Sequence, residues 1–257
     1  MWRQASGFFE PQRRRERKGE NGLDSGLRRN TGRGILQQDG LRAKARLSWM
    51  HMPKRIVIGI CGASGVIYGI RLIRELLNHP IEAHVIVSDA GRQVMAHELK
   101  TGAPVAEIVQ RLYPGDWHPD AVFQEHPVSS FFEAPASGSF RHDGMVIAPC
   151  SMKTAAAVAC GYAENLIHRA ADICLKEHRK LVLVPRETPL SLIHLQNLLR
   201  LAEAGAVILP PAPGFYRHPE TVGDMIDFVV GRILDQLHLP QTLVQEWASE
   251  TVGTSAI

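Results

Sequence analysis

The chain has 257 residues, of which 45% are apolar, so it is long enough for one domain with a sizeable core and a tail. Its net charge of +3 is uneven: residues 1–50 carry twelve Lys and Arg against five Asp and Glu, and the remaining 207 carry seventeen against twenty-one. A mildly acidic body argues against a nucleic-acid-binding protein. No apolar run approaches the roughly 18 residues of a membrane span, so a membrane protein is not expected either.

Residues 1–52 predict a disordered, basic N-terminal extension, because they lack apolar periodicity and are rich in Arg, Gly and Gln. A targeting peptide, a basic interaction arm and an over-long reading frame whose true start is Met50 or Met52 are competing explanations. Five acidic residues argue against a transit peptide, and a secretory signal would need an apolar segment. We favour a spurious or dispensable extension, followed by a folded domain at 53–240 and a C-terminal tail at 241–257.

The cysteines and histidines predict no metal site. Cys61, Cys150, Cys160 and Cys174 show no C-x-x-C spacing, and the twelve histidines include no H-E-x-x-H motif. Buried thiols in a reducing cytoplasm are the expected arrangement.

The first predicted elements are a strand at Ile56–Ile60, a turn at Gly62-Ala63-Ser64-Gly65, and a helix that begins at Val66. Glycines let the backbone approach a ligand closely, and a helix start offers unpaired N–H groups to an anion. The turn lacks the G-x-G pair of a dinucleotide site, the Gly-Lys of a P-loop and the G-x-S-x-G of a hydrolase. A nucleotide-like ligand other than NAD or ATP is therefore indicated.

The remaining elements alternate between strand and helix, apart from residues 102–143, which are predicted to be an irregular functional loop or flap. A helix is predicted to open at Thr188 (N-cap) and Pro189. The predicted strands are 83–87, 144–148, 180–185 and 206–209, and the predicted helices end near residues 101, 160, 177, 203 and 237. This order predicts an α/β fold, a flavodoxin-like or Rossmann-like open parallel sheet with helices on both faces.

Ligands of such sheets collect at the carboxyl ends of the strands. Several unusual turns fall there: Gly62–Ser64, Ser88, Ser151–Thr154, Arg186–Glu187 and Pro213–Tyr216. Ser151 can cap a helix, but Lys153 at the positive end of that helix is unfavourable unless an anion is present. The turns together predict one binding site.

The motifs that carry these turns resemble, in order and spacing, the UbiX flavin prenyltransferases over roughly residues 54–238. They are Cys61-Gly-Ala-Ser-Gly65, Ala136-Ser-Gly-Ser139, Pro149-Cys-Ser-Met-Lys-Thr154, Glu164-Asn-Leu-Ile-His-Arg-Ala-Ala-Asp172, Leu175-Lys-Glu177, Pro185-Arg-Glu-Thr-Pro189 and Gly214-Phe-Tyr216. The resemblance does not cover the first fifty residues. Two departures are Ala212-Pro-Gly214, where many members have Met-Pro-Ala, and Glu164, where Asp is usual; neither removes a functional group.

The resemblance implies trimers within a homododecamer and prenylation of reduced FMN by dimethylallyl monophosphate, with no metal. The prenylated FMN would serve a UbiD-type decarboxylase, commonly in ubiquinone biosynthesis. Residues implied to bind FMN are Gly62, Ala63, Ser64, Ser88, Ser151, Met152, Lys153, Thr154, Arg169 and Arg186. Lys176, Tyr216 and Arg232 would hold the prenyl phosphate, in part from a neighbouring subunit; Ser64 near the flavin N5 and Glu187 as acid/base would be catalytic.

The chemistry of the residues agrees with this assignment, since cations and a phenol aimed at a leaving phosphate lower its barrier. Diphosphate-using prenyltransferases rely instead on aspartate clusters with Mg²⁺. Asp224-x-x-Asp227 is the one such candidate in the sequence, and we expect it to be a solvated helix face.

Several of the charged and aromatic residues also have purely structural interpretations. Arg186–Glu187 and Arg169–Asp172 could be ion pairs, Tyr216 and the phenylalanines 140 and 215 could be core, and Lys176 and Arg232 could be exposed helix residues.

Two other functions differ from a prenyltransferase in the residues they need. A flavin-dependent cysteine decarboxylase would need a His early in the first helix and an Asn in the third turn, where this chain has Tyr68, Arg71 and Ser-Met-Lys-Thr. A non-catalytic FMN carrier would not need Glu187.

Overall fold

The computed structural model describes residues 53–245; the predicted extension and most of the predicted tail lie outside these residues. The strands are β1 (Lys54–Ile60), β2 (Ile81–Val87), β3 (Val122–His126), β4 (Gly144–Cys150), β5 (Leu181–Pro185) and β6 (Val207–Ile208). The helices are α1 (Val66–Leu76), α2 (Asp89–Glu98), α3 (Val105–Leu112), α4 (Met152–Ala159), α5 (Leu166–Lys176), α6 (Leu192–Glu203) and α7 (Val222–Gln236). Short 3₁₀ turns lie at Ala134–Ala136 and Phe215–Arg217.

The six strands form one parallel sheet in the order β3-β2-β1-β4-β5-β6. The predicted fold class is confirmed. Strand β1 is central, and the chain builds outwards from it first on the β2 side and then on the β4 side. The carboxyl ends of β1 and β4 therefore form the switch point of the sheet, where such folds bind ligands.

Helices cover both faces, so the strands have two cores to fill. Alternate residues of β1 divide between them: Ile56, Ile58 and Ile60 pack with α1, α3 and α7, whereas Val57 faces the core of α4, α5 and α6. Burial on both faces explains why the central strands are continuous apolar runs. No helix within residues 53–245 is long and apolar enough to cross a membrane.

The prediction of an irregular segment at 102–143 is wrong, because it contains α3 and β3. Helix α3 is only eight residues long and buries Val105, Ile108 and Val109 at helical spacing. Strand β3 lies at the edge of the sheet with polar residues on its open side, so it lacks the apolar run of an interior strand.

The predicted start of α6 at Thr188 and Pro189 is also wrong. Ser191 is the N-cap: its Oγ accepts a hydrogen bond from the His194 backbone N–H, and the His194 side chain accepts one from the Ser191 N–H. This reciprocal cap satisfies two N–H groups at the helix start, and residues 186–190 form an irregular connection that bends at Thr188 and Pro189.

Candidate functional site

Backbone hydrogen bonds join the carboxyl ends of four neighbouring strands. The Ser88 N–H donates to the Ile60 carbonyl (3.0 Å), the Cys61 N–H to the Pro149 carbonyl (3.2 Å) and the Arg186 N–H to the Cys150 carbonyl (3.1 Å). These bonds place the turns after β2, β1, β4 and β5 side by side, as the sequence predicted.

Three helices begin at this edge with a neutral side-chain cap. Ser88 Oγ accepts from the Gly91 N–H at 2.9 Å, Ser151 Oγ from the Thr154 N–H at 3.2 Å, and Asn165 Oδ1 from the His168 N–H at 3.0 Å. Each cap satisfies one N–H group at a helix start, where the helix dipole is positive, and Asp89 adds a carboxylate to the first turn of α2. Converging helix starts of this kind favour an anionic ligand.

All three cap residues line one cavity of about 480 Å³. Its lining is mostly small or polar: Gly62, Ser88, Asp89, Ala90, Val128, Ser129, Ser151, Lys153, Thr154, Glu164, Asn165 and His168. Five predicted FMN-binding residues are therefore brought together: Gly62, Ser88, Ser151, Lys153 and Thr154.

Close packing requires glycine at position 62. A Cβ atom there would lie 2.4 Å from the Cβ of Ala90, at the start of α2. The turn after β1 can therefore pass this close to the start of α2 only if residue 62 has no side chain.

Two predicted residues in the α4 turn have structural contacts of their own. Thr154 Oγ1 donates to Cys61 Sγ at 3.2 Å and lies 3.1 Å from Ser151 Oγ. Burial raises the pKa of the Cys61 thiol to about 11, so it remains a neutral acceptor. The Met152 side chain is 7% exposed and packs in the core, which leaves its backbone as the part able to meet a ligand.

Lys153 has an anionic partner within the protein, so its place at a helix start does not by itself require an anionic ligand. Its Nζ lies 3.6 Å from Glu164 Oε2, and both side chains are well exposed. Such a pair contributes only about 0–1 kcal/mol, so it holds Lys153 loosely beside the cavity.

Ser64 and Arg186 meet at the far side of the β1 turn. Arg186 Nε donates to the Ser64 carbonyl at 3.3 Å, which links the turn after β1 to the end of β5. Tyr68, in the first turn of α1, lies close enough to interact with Arg186: burial raises the pKa of its phenol and the guanidinium charge opposes this. Tyr68 was not among the residues predicted to form the site.

The start of α1 is occupied by a carboxylate, so the prediction of unpaired N–H groups there is wrong. Glu98, at the end of α2, accepts from the Gly65 N–H at 3.0 Å and from the Val66 N–H at 3.1 Å. Gly65 itself has φ 97°, a left-handed conformation that favours glycine. Glu98 is a site residue that sequence reasoning missed.

The predicted residues on α5, Arg169 and Lys176, do not line the cavity. Arg169 donates to the Ala136 carbonyl at 3.2 Å and pairs with Asp172 at 2.9 Å, as the ion-pair alternative expected. Lys176 Nζ lies 2.8 Å from Glu177 Oε1. Since eleven helical residues span about 16 Å, Lys176 lies at the opposite end of α5 from Asn165.

Glu187, Tyr216 and Arg232 do not line the 480 Å³ cavity. Glu187 is exposed, and its Oε1 accepts from the Thr188 N–H at 3.0 Å. The Tyr216 and Phe228 rings meet edge to face at 6.1 Å, and Arg232, paired with Asp235 at 2.7 Å, lines a separate cavity of about 270 Å³ that also includes Phe228.

The expected solvated face at Asp224 and Asp227 is confirmed for Asp224, which is exposed, but not for the partly buried Asp227. Asp227 pairs with Arg71 at 2.6 Å and so ties α7 to α1, while Asp224 Oδ2 accepts from the Thr221 N–H at 2.8 Å as part of the α7 cap. Backbone hydrogen bonds from Thr221 and Glu220 lower the pKa of Asp224. Among residues 53–245, no group of three or more His, Cys, Asp or Glu side chains is arranged to hold a metal ion.

An open parallel sheet with helix starts around a cavity at its switch point is the arrangement of nucleotide-binding α/β proteins; here Asp89, Lys153 and Glu164 are the charged residues of the lining. The model of the family called Flavoprotein matches residues 45–234. A probable UbiX-like flavin prenyltransferase from Streptomyces sp. (strain D7) is 49% identical over 79% of this chain and 96% of its own length. The flavin prenyltransferase UbiX of Pseudomonas aeruginosa is 45% identical over 78% of this chain and 97% of its own.

Solved structures agree. AnUbiX, crystallised with FMN and dimethylallyl pyrophosphate, superposes with a TM-score of 0.69 at 39% identity, covering 77% of this chain and 98% of that one. A dodecameric FMN-dependent UbiX-like decarboxylase from Escherichia coli O157:H7 gives a TM-score of 0.66 at 42% identity, over 76% and 99% of the two chains. The chain belongs to the flavoprotein family and, within it, to the UbiX flavin prenyltransferases.

Replacing Glu98 with Ala is expected to lower the free energy of unfolding by about 1–3 kcal/mol, because it leaves two N–H groups at the start of α1 without their acceptor. Glu98→Gln retains one carbonyl oxygen and should lose less. The measurement is urea denaturation followed by circular dichroism, with the exposed Glu203→Ala as control. Equal stabilities for Glu98→Ala and the control would contradict the capping role.

Proposed function

We propose that the protein is a flavin prenyltransferase that joins the dimethylallyl group of dimethylallyl monophosphate to reduced FMN. The observation that carries this proposal is the cavity where three capped helix starts converge beside the Ser64–Arg186 contact. Membership of the UbiX family supports the reaction, and the geometry supports an anionic, nucleotide-like ligand at this edge of the sheet.

The residues present fit FMN. Neutral caps at three helix starts suit its phosphate, small residues leave room for close approach, and the buried lining retains an imidazole nitrogen with no partner among residues 53–245. The residues proposed to hold it are Gly62, Ala63, Ser64, Ser88, Ser151, Met152, Lys153, Thr154, Arg169 and Arg186. When bound in its reduced form, FMN supplies the N5 and C6 atoms that accept the prenyl group.

When the allylic C–O bond of the prenyl donor breaks, the phosphate group leaves with the bonding electrons. Cations are therefore needed around the leaving phosphate. Lys176, Arg232 and the Tyr216 hydroxyl are proposed for this role, since positive charge and O–H donors stabilise the leaving anion. Because none of the three lines the cavity of the single chain, we propose that a neighbouring copy supplies part of the set.

Glu187 is proposed as the acid/base and Ser64 as the group nearest the reacting nitrogen. Glu187 directly follows Arg186, whose guanidinium donates to the Ser64 carbonyl, so both residues leave β5 at the edge of the sheet that carries Ser64. From there it can hold a proton and move it between the leaving phosphate and the flavin. No metal is required for these roles.

The product is a modified cofactor, so another enzyme must use it. A UbiD-type decarboxylase, in ubiquinone biosynthesis, is the proposed recipient on the strength of the family. We propose a cytoplasmic location: all four cysteines are free, and burial raises the pKa of Cys174 to about 12, as suits unreactive thiols in a reducing compartment.

A homododecamer is the proposed assembly, as named for the Escherichia coli relative. Helix α6 supports it, because Leu192, Ile193, Leu195 and Leu199 are all exposed, at 69%, 68%, 49% and 59%. Full burial of one such side chain contributes about 1.5–3 kcal/mol, so this face of α6 is suited to contact another copy.

The proposed activity is tested by anaerobic incubation of the full chain with reduced FMN and dimethylallyl phosphate, followed by mass spectrometry of the released flavin. We expect the flavin to gain one prenyl unit. Glu187→Gln should slow this gain by about 10²- to 10⁴-fold without weakening FMN binding, because only proton transfer is lost.

The exposed Glu107→Gln on α3 is the matched control and should react as the wild type does. A wild-type flavin of unchanged mass would reject the prenyltransferase. Normal prenylation by Glu187→Gln would show that a residue other than Glu187 transfers the proton. If the flavin also gains the prenyl unit without the protein, the non-catalytic FMN carrier would be favoured instead.

The proposed assembly is tested by charging the α6 face. Wild type should sediment as a species of about 340 kDa, twelve times the chain mass of 28.4 kDa. The double variant Leu192→Asp, Ile193→Asp should sediment as smaller species but remain folded, because both residues are exposed in the single chain.

Leu112→Asp, on the exposed end of α3, is the control and should leave the assembly intact. A double variant with the wild-type mass would remove α6 from the proposed interface. A wild-type chain that sediments as a monomer would contradict the dodecamer.

A further inference from the structure

His168 is a buried polar residue that the site described so far does not use. It is the third residue of α5, lines the 480 Å³ cavity and is only 2% exposed. Its Nδ1 is fully buried and makes no hydrogen bond with any residue in 53–245. A buried polar atom left unpaired costs about 1–3 kcal/mol, so a partner from outside residues 53–245 would stabilise this imidazole.

Three other polar groups of the lining have hydrogen-bond partners within the protein. Ser151 Oγ and Asn165 Oδ1 each accept from a helix N–H, and Thr154 Oγ1 donates to Cys61 Sγ. The His168 imidazole differs from them because it lines the cavity with a ring nitrogen that has no partner among residues 53–245.

Burial favours the neutral form of His168. Burial lowers the pKa of the imidazole, the ammonium group of Lys153 lowers it further, and the carboxylate of Glu164 opposes both. Its place in the first turn of a helix also disfavours a positive charge. A neutral imidazole can donate from one ring nitrogen and accept at the other, so it suits either a donor or an acceptor group on a ligand.

We propose that His168 is a further FMN-binding residue, whose imidazole forms a hydrogen bond with a polar atom of FMN in the cavity. The inference rests on the proposed FMN site and adds to it a residue on α5, a helix whose predicted FMN contact, Arg169, is instead engaged with Ala136 and Asp172.

The test measures FMN affinity and stability separately in the full chain freed of flavin. His168→Phe keeps a ring but removes the nitrogens, and it should weaken FMN binding by about 5- to 30-fold in titration calorimetry. The thermal unfolding temperature of the flavin-free protein should stay the same or rise, since an unpaired buried polar group is removed. His168→Asn, which places an amide near the position of Nδ1, should restore part of the affinity.

His142→Phe is the matched control. His142 is also buried, but its Nδ1 lies 3.1 Å from the Gly144 carbonyl and it does not line the cavity. This variant should show the reverse pattern: a lower unfolding temperature and unchanged FMN affinity in the folded protein.

FMN affinity of His168→Phe within twofold of the wild type would overturn the inference, and so would an equal loss in His168→Asn and His168→Phe. If His168→Phe does not fold, His168→Leu replaces it with the same expectations. Failure of the proposed function is distinguishable: a wild type that binds FMN without prenylating it would refute the reaction while leaving the His168 result unaffected.

Discussion

The backbone hydrogen bonds across the carboxyl edge of the sheet are the constraint on which the rest of the site depends. They join the ends of β2, β1, β4 and β5, so that residues far apart in sequence, Ser88, Cys61 and Arg186, begin their turns in adjacent positions. Each turn then leads into its own helix or connection. The site is therefore a property of strand order, and no single motif could create it.

The helix starts at this edge are treated in two different ways. At α1 the protein supplies its own carboxylate, Glu98, whereas α2, α4 and α5 have neutral caps. The carboxylates of Glu98 and Asp89 compensate the dipoles of α1 and α2, whereas α4 and α5 have no acidic residue in their first turns and can stabilise an anion in the cavity. The turn before α1 carries Ser64, whose carbonyl accepts from Arg186. A ligand with an anionic end and a reactive end could therefore use the helix starts for the first and this turn for the second.

The central strands, most helices and the position of the site were predictable because they depend on local patterns: apolar runs, caps and turn residues. The missed elements depend on contacts distant in sequence. Strand β3 is an edge strand whose polar side chains give no buried pattern, and Glu98 acts on a turn 33 residues earlier. Ser191 could have been found, because a Ser followed three residues later by a side chain able to reach back is a capping signal; the Thr-Pro pair before it was more conspicuous. His168 lies on α5, whose sequence shows only the apolar spacing of a packed helix, so its place in the cavity lining could not be predicted.

A crystal structure of the full chain grown with FMN would show whether FMN binds where the three neutral helix caps meet. We expect FMN density in the cavity lined by Ser88, Ser151 and His168, with its phosphate within hydrogen-bonding distance of at least one capped helix start. Density in the cavity beside Arg232, or at the start of α1 with Glu98 displaced, would contradict it.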